Sequence, residues 1–273
     1  MPVKPTLHFD QITHTYAGRK LLDDFSMHIS GGEWFCLLGK SGVGKSTLAR
    51  IGAGLLAPDA GRVRRLGGDG IGYLAQSPGD IFIGATIFEE IAFGLSSSDH
   101  GYTNVRERVK QSLRLVGLSY LSLETNPTAL SGGQQQLLGL AAVLSSQPSF
   151  LILDEPTSML DPQAQLTVLR VLRSVVELGT GILHITHSAD EALWAHRVGI
   201  LHQGKLAGVG RSSEVLSDTS LLDKAGAEQP ELLRFRQALT HKGIHLDVPE
   251  WSVSGMYDAL LAYSSASSFS ERV

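Results

Sequence analysis

Apolar residues in this chain recur in three patterns. The first is the short, almost unbroken run. Trp34–Leu38, Phe150–Leu153 and Gly181–Ile185 are of this kind, and Ile71–Leu74 reads simply as a strand. Such runs predict strands buried on both faces, as in a parallel sheet. The second is helical spacing, with apolar positions three and four apart. It recurs at Leu48, Ile51 and Leu55, then at Ile87, Ile91 and Ala92, then at Val105, Val109, Leu113 and Val116. Val168, Leu169, Leu172, Val175 and Val176 form the strongest stripe, and Leu232, Leu233 and Leu239 form a later one. The third is the short β segment broken by turns. Leu7–Phe9, Thr13–Tyr16 and Leu21–Ile29 are separated at Ala17-Gly18 and followed by Gly31-Gly32. A last β pair, Arg197–His202 and Lys205–Val209, turns at Gln203-Gly204.

Polar and special residues punctuate these patterns. Thr86, Asn104, Ser131 and Asp161 each stand where a helix N-cap belongs, and Pro162 takes the first helical position behind Asp161. Glu89 and Glu90 fall in the first turn behind Thr86, where negative charge is favourable. Gly117, Gly179 and Gly243 are stop signals. Pro58–Gly61 reads as a turn, 62–70 as a short glycine-rich stretch and Ser96–Thr103 as a polar linker. A helix is expected over Gln135–Ser146. After Arg211 the composition shifts. Leu221–Gly226 reads as a linker, helices follow from Pro230 and over about Ser254–Tyr263, and the serine-rich stretch 264–273 is expected to be disordered.

The chain has 273 residues, 42% of them hydrophobic, with a mean hydropathy of +0.05. That supports one large core with an appendage. A net charge of −4 argues against a broad nucleic-acid surface. Arg62, Arg64 and Arg65 read as a solvated hairpin face. The single cysteine, Cys36, excludes an internal disulfide and reads as a small core residue in a reducing compartment. The N-terminus has no hydrophobic signal core. No stretch reaches the roughly 18–20 apolar residues that a membrane span needs. Work at a membrane would therefore need another chain to supply the span.

Four stretches carry chemistry. Gly39–Ser46 spells G-x-x-x-x-G-K-S between an apolar run and a helix-compatible stretch, the context in which this spacing binds phosphate. The glycines let successive N–H groups curl around an anion, and the helix N-terminus adds partial positive charge. Lys45 can reach the β- and γ-phosphates, and Ser46 can take a Mg²⁺ position. Leu130-Ser131-Gly132-Gly133-Gln134 is open to two readings: a second anion-facing cap, or a plain capping loop with Ser131 as N-cap. Asp154 and Glu155 end an apolar run, at the sheet edge where ligands bind in open parallel sheets. Asp154 is placed to hold Mg²⁺ opposite Ser46, and Glu155 to orient or deprotonate a water. His187 ends the next run at the same edge and could bond a γ-phosphate; of ten histidines it alone is singled out. Tyr16 either stacks on a base or is an ordinary strand-end aromatic.

Together these motifs resemble those of the ATP-binding-cassette (ABC) ATPases. The phosphate loop, Gln76, Leu130–Gln134, Asp154-Glu155, Ser158–Asp161 and His187 follow that family's order and approximate spacing over about residues 6–210. The resemblance implies an α/β fold: a P-loop NTPase with a RecA-like core sheet and an N-terminal antiparallel β part. It adds an inserted α-helical subdomain and a small C-terminal helical extension. The nucleotide-binding domain would span 1–225, with the helical subdomain at about 77–147, and the extension 226–263, a dimer contact. The cofactors would be ATP and Mg²⁺. By the same resemblance Gly39, Lys40, Ser41, Gly42, Val43, Gly44, Lys45, Ser46 and Thr47 cradle ATP, and Tyr16 stacks on adenine. Ser46, Gln76 and Asp154 attend the metal. Glu155 is the catalytic base, His187 the γ-phosphate switch, and Gln76 links the site to the helical subdomain. Ser131, Gly132, Gly133 and Gln134 touch ATP held by a second ABC subunit, identical or not, and Asp161 faces that subunit.

Two departures from the family pattern stand out. Gln135-Gln136-Leu137 follows the signature, so Leu137 replaces a usual arginine, and the stretch 62–70 is short. Within the family, Gln76-Ser77-Pro78, Thr86–Gly94 and the tail around Pro230-Glu231-Leu232 and Lys242-Gly243 are similar to the A components of energy-coupling-factor (ECF) importers. That likeness implies a vitamin or transition-metal importer with a membrane T component and a substrate-binding S component. It also implies a peripheral position on the cytoplasmic face of the cell membrane, no nucleic-acid partner, and an acid such as Glu89 or Glu90 edging the groove for T-component helices. The alternatives are the ATPase of another ABC importer or exporter and, more remotely, an ABC protein acting on DNA or ribosomes.

Overall fold

The computed structural model describes residues 4–68, 70–76, 82–95, 102–248 and 251–270. Ser77 and Pro78, and 96–101 of the polar linker, lie outside the described residues.

Two sheets sandwich the first helix. β1 (Thr6–Tyr16), β2 (Arg19–Ser30) and β4 (Ala60–Leu66) form an antiparallel sheet in the order β2-β1-β4. The second sheet contains β3 (Trp34–Leu38), β5 (Ile71–Leu74), β6 (Phe150–Asp154), β7 (Gly181–Ile185), β8 (Arg197–His202) and β9 (Lys205–Arg211). Its order is β5-β6-β7-β3-β8-β9, parallel except for the β8–β9 hairpin. Every residue of β3, β6 and β7 is buried. That is why these strands read as unbroken runs.

Alternate side chains of β3 serve opposite faces, as the pleat requires. Phe35 and Leu37 join Leu7, Phe9, Phe25, Leu48 and Ile51 in a core between the two sheets. This core encloses α1 (Lys45–Gly52). Trp34, Cys36 and Leu38 join the larger core on the other face. Removing any one of these fully buried side chains would forfeit about 2–5 kcal/mol.

The larger core is covered by α2 (Ile87–Gly94), α3 (Tyr102–Leu115), α4 (Gly132–Ser145), α5 (Pro162–Glu177) and α6 (Ala189–Ala192). Four later helices close the chain: α7 (Ser212–Val215), α8 (Thr219–Ala225), α9 (Glu231–His241) and α10 (Val253–Ser270).

Several expectations change. The segments at 7–9 and 13–16 are one strand, with register shifts on both sides of Ile12 and a left-handed Gln11 (φ 51°). The polar residues there mark bulges, not a chain break. Of the stretch 62–70 read as short and glycine-rich, 62–66 belong to the edge strand β4, which starts inside the expected 58–61 turn and pairs from Thr6↔Leu66 to Thr13↔Ala60. On it Arg64 pairs with Asp10. The helix after the phosphate loop stops at Gly52, so Leu55 is exposed. Asn104 falls inside α3 rather than capping it. The linker expected at 221–226 is helix α8, capped by Asp218 and by left-handed Gly226 (φ 69°), with Leu222 and Ala225 buried. The last helix continues through 264–270, where disorder was expected, and 271–273 lie outside the described residues.

Candidate functional site

The C-terminal ends of β3, β5, β6 and β7 point to one edge because these strands are parallel. Each delivers one expected site residue or loop there. After β3 the chain turns through Gly42 (φ 74°) and Gly44 (φ 112°) into α1. A side chain at Gly39 would place Cβ 2.7 Å from the Leu201 carbonyl oxygen, and one at Gly44 3.0 Å from that of Leu21. The loop is therefore tight against its own chain.

Lys45 is buried, and its ammonium donates to the carbonyl oxygens of Gly39 at 2.6 Å and Lys40 at 3.2 Å. Burial lowers its pKa, while the charges of Glu155 and Asp154 pull it back up. A phosphate group would compete for the same ammonium. Ser46 Oγ donates to Asp154 Oδ1 at 3.0 Å. Burial raises the Asp154 carboxyl; the Ser46 bond opposes this and the Glu155 charge adds to it.

Glu155 has a left-handed backbone (φ 49°). A non-glycine residue there stores about 1–3 kcal/mol of strain unless its surroundings hold it. Here its N–H donates to Ile185 O at 2.9 Å, and its carbonyl accepts from Ser158 N and Oγ. Its Oε2 accepts from Gln76 Nε2 at 3.1 Å and lies 3.6 Å from His187 Nδ1. Lys45, Ser46, Gln76, Asp154, Glu155 and His187 thus converge, each within reach of another. The cluster offers hard oxygen ligands from Ser46 and Asp154, a candidate base in Glu155 and an imidazole donor in His187, whose side chain is 66% exposed. A hydroxyl and one carboxylate, short of a full protein cage, suit a Mg²⁺ that keeps waters and phosphate oxygens.

Other expected residues stand apart. Among the described residues no hydrogen bond or ion pair joins Ser131–Gln134 or Asp161 to this cluster. Ser131 caps α4 in a capping box: Gln134 N donates to its Oγ, and Ser131 N donates to Gln134 Oε1. Gln134 Nε2 donates to the Tyr120 hydroxyl, so its amide is engaged at both ends. Asp161 caps α5 by accepting from Gln163 and Ala164 N–H. Tyr16 is 69% exposed at the end of β1. Leu137, in the place of the usual arginine, is buried in the larger core. The Glu90 carboxylate accepts from Ile83 and Gly84 N–H, and that of Glu89 from Ala85 N–H. Both acids thus brace their own loop. Below the site lies a polar group that the sequence patterns pass over: Thr157, His184 and Glu191, all buried.

A family model described as ABC transporter matches residues 22–158. The chain belongs to the ABC transporter ATPases. Among its relatives, the energy-coupling factor transporter ATP-binding protein EcfA1 of Lacticaseibacillus paracasei is 36% identical over 252 residues, covering 87% of this chain and 90% of its own length. That of Halalkalibacterium halodurans is 33% identical over 258 residues, covering 90% and 92%. Among solved structures, cbiO1 from Clostridium perfringens, part of the ABC transporter complex cbiONQ, has a TM-score of 0.70 at 28% identity, covering 87% of this chain and 98% of that one. A dimeric bacterial ABC transporter cassette has a TM-score of 0.69 at 25% identity, covering 76% and 98%. This ABC ATPase is of the energy-coupling-factor type, an ATP-binding and ATP-hydrolysing subunit. Among the described residues, no helix is long and apolar enough to cross a membrane.

Proposed function

We propose that the cluster at the sheet edge is one half of a composite ATPase site, completed by the Ser131–Gln134 stretch of a second ABC subunit. The observation that carries this reading is a contrast of space. Gly39 and Gly44 of the phosphate loop are hemmed in by their own chain and Gly42 is held at φ 74°, whereas Gly132 has no positive φ and a Cβ on it would meet nothing within 4 Å. Glycine inside a helix costs about 0.5–1 kcal/mol relative to alanine, and less at the first position, which Gly132 holds, but it gains nothing there. With nothing in the chain requiring it, the demand for a bare backbone at Gly132 comes from outside. Ser131 accepts the capping bond and keeps its hydroxyl proton to donate outward. Gln134 contributes mainly by holding that cap.

In this reading the backbone N–H groups of Gly39–Thr47 bind the ATP phosphates and Lys45 neutralises developing charge on the γ-phosphoryl group. Glu155 aligns and deprotonates water while Gln76 holds its carboxylate, and His187 donates to the γ-phosphate. Ser46 and Asp154 would hold a Mg²⁺, which would supply charge neutralisation on the phosphates. Hydrolysis is then mostly positioning and charge stabilisation. Tyr16 stacks on the adenine ring. Asp161, fixed as a helix cap beside Gly133, faces the second subunit. Exposed Ile83 and Phe93, each at least 70% accessible, offer apolar contact to helices of a membrane T component. The chain then works peripherally on the cytoplasmic face of a membrane, with S and T components importing a vitamin or transition-metal micronutrient.

Glu155→Gln tests the reading. The variant is expected to bind ATP, lose turnover and accumulate as a closed dimer in sedimentation. Unchanged steady-state hydrolysis would remove Glu155 from the role of base.

A further inference from the structure

A buried carboxylate joins the two loops that carry Glu155 and His187. Glu191, on the one-turn helix α6, is 7% exposed. Its Oε1 accepts a 2.6 Å hydrogen bond from the Thr157 hydroxyl, two residues beyond Glu155. Its Oε2 stands 3.3 Å from Nε2 of His184, a fully buried imidazole on β7. The ring is not aligned for a hydrogen bond, so this contact is electrostatic and steric. Burial pushes the Glu191 carboxyl up, but the contacts to His184, Thr157 and Thr186 outweigh it and hold the group below its ordinary value.

We propose that Glu191 is a positioning residue: it ties the Glu155 loop to the His187 loop from beneath and so sets the separation of the two groups across the reacting phosphate. The proposal rests on the roles assigned above to Glu155 and His187. At the surface these two touch only at 3.6 Å, and a water with a γ-phosphate must enter between them. Their spacing then depends on what lies below. The backbone bond from Glu155 N to Ile185 O registers the two strands. Beyond it no backbone hydrogen bond joins the two loops among the described residues, and the Thr157–Glu191 bond is the link between them. A charged acceptor makes shorter and stiffer bonds than a neutral one, and misplacing a reacting group by about 1 Å can lower the rate on the order of 100-fold.

Glu191 contacts Thr157 and His184 and not the phosphate loop, so the tie should govern turnover more than nucleotide binding. Thr157→Val removes the hydroxyl at nearly constant shape and keeps the Glu155 and His187 side chains themselves. In the full chain with its co-purifying subunits, this variant is expected to lose on the order of tenfold in kcat. KM and Kd for ATP should stay within about twofold, since binding and chemistry separate this way when only the reacting geometry moves. Thr157→Ser should restore the rate. In a His187→Ala background, Thr157→Val should add no further loss, because one of the two groups being spaced is gone. Glu191→Gln, which keeps the acceptor for Thr157, should show the same split in milder form and serves if Thr157→Val does not fold.

A Thr157→Val or Glu191→Gln rate equal to wild type overturns the proposal. So does a loss that Thr157→Ser leaves unrepaired, or an equal fold-loss in the His187→Ala background. Glu155→Gln run alongside distinguishes the failures. If it is inactive while Thr157→Val runs at full rate, the tie alone is wrong; if it still turns over, the site reading falls and the tie with it.

Discussion

Two glycine-rich stretches each precede a helix in this chain, and they differ in what makes them glycine. In the phosphate loop, Gly44 sits at φ 112° with a Cβ position 3.0 Å from a carbonyl oxygen. Gly39 is closer still to the Leu201 carbonyl. Those residues are required by the fold itself. At the signature, Gly132 has open space around it and Gly133 only ordinary contacts at 3.6 Å and beyond, to Ala164 and Leu160. Neither has a positive φ. The first stretch is thus specified by this chain, and in the reading proposed above the second is specified by a subunit that docks on it. A catalyst whose structural demands divide in this way is built across an interface, which is the physical content of the proposed composite site.

The comparison is broken most directly at Gly44. Gly44→Ala forces a left-handed conformation that costs about 1–2 kcal/mol, before any clash with Leu21 O. A lower Tm and at least a roughly tenfold loss of ATP affinity are expected, the latter because each 1.4 kcal/mol of misplaced phosphate contact is tenfold. Calorimetry with ATP and a thermal melt read both. Gly132→Ala should do the opposite to the fold. At the first helical position, behind the Ser131 cap, alanine is at least as good a helix former, so Tm should hold or rise slightly. Turnover in the assembled complex should still fall, with nucleotide binding by the single chain unchanged. If Gly132→Ala instead unfolds the chain or weakens its own ATP binding, the two stretches do not differ as argued. Ser131→Ala sharpens the contrast at smaller scale. Losing the cap should cost about 1 kcal/mol, or roughly 2–4 °C in Tm, together with a turnover defect larger than that shift explains.

The same contrast marks what was legible in the sequence. The phosphate loop, the Asp161-Pro162 helix start, the Ser131 cap and the buried runs at 34–38, 150–154 and 181–185 each announce themselves locally. What stayed hidden depends on distant partners. β4 is held by pairing with β1 some fifty residues away, so its polar composition looked like loop. Helix α8 looked like a linker because only two of its seven residues are buried, although Asp218 and Gly226 bracket it with a cap and a left-handed stop. His184 was passed over because a single polar residue does not spoil a five-residue apolar run. Its meaning appears only when Glu191 arrives from the next helix. Of the site, the members of the cluster were readable from the motifs. The engagement of Gln134 by Tyr120 and the inward turn of Glu89 and Glu90 were not, since both depend on rotamers.

The smallest effect concerns the cluster's own strain. Burial raises the Asp154 carboxyl above its ordinary value of 3.8, and the Glu155 charge adds to the shift. A raised acid opposes folding while ionised, so at neutral pH Asp154 destabilises the nucleotide-free chain. That penalty is relieved as pH falls into the raised range and the proton binds. Asp154→Asn keeps an acceptor for the Ser46 hydroxyl, now 3.0 Å away, and removes the charge. The variant should therefore melt higher than wild type at pH 7, and the gap should shrink as pH is lowered toward that range. A gain of about 1 kcal/mol would read as roughly 2–4 °C in Tm for a chain of this length. Added Mg²⁺ and ATP should stabilise wild type more than the variant, because the metal is the partner for which the charge is kept. A variant that melts lower at every pH would mean that Asp154 serves the fold rather than the metal, and the phosphate-loop side of the comparison would lose its claim to be poised for a ligand.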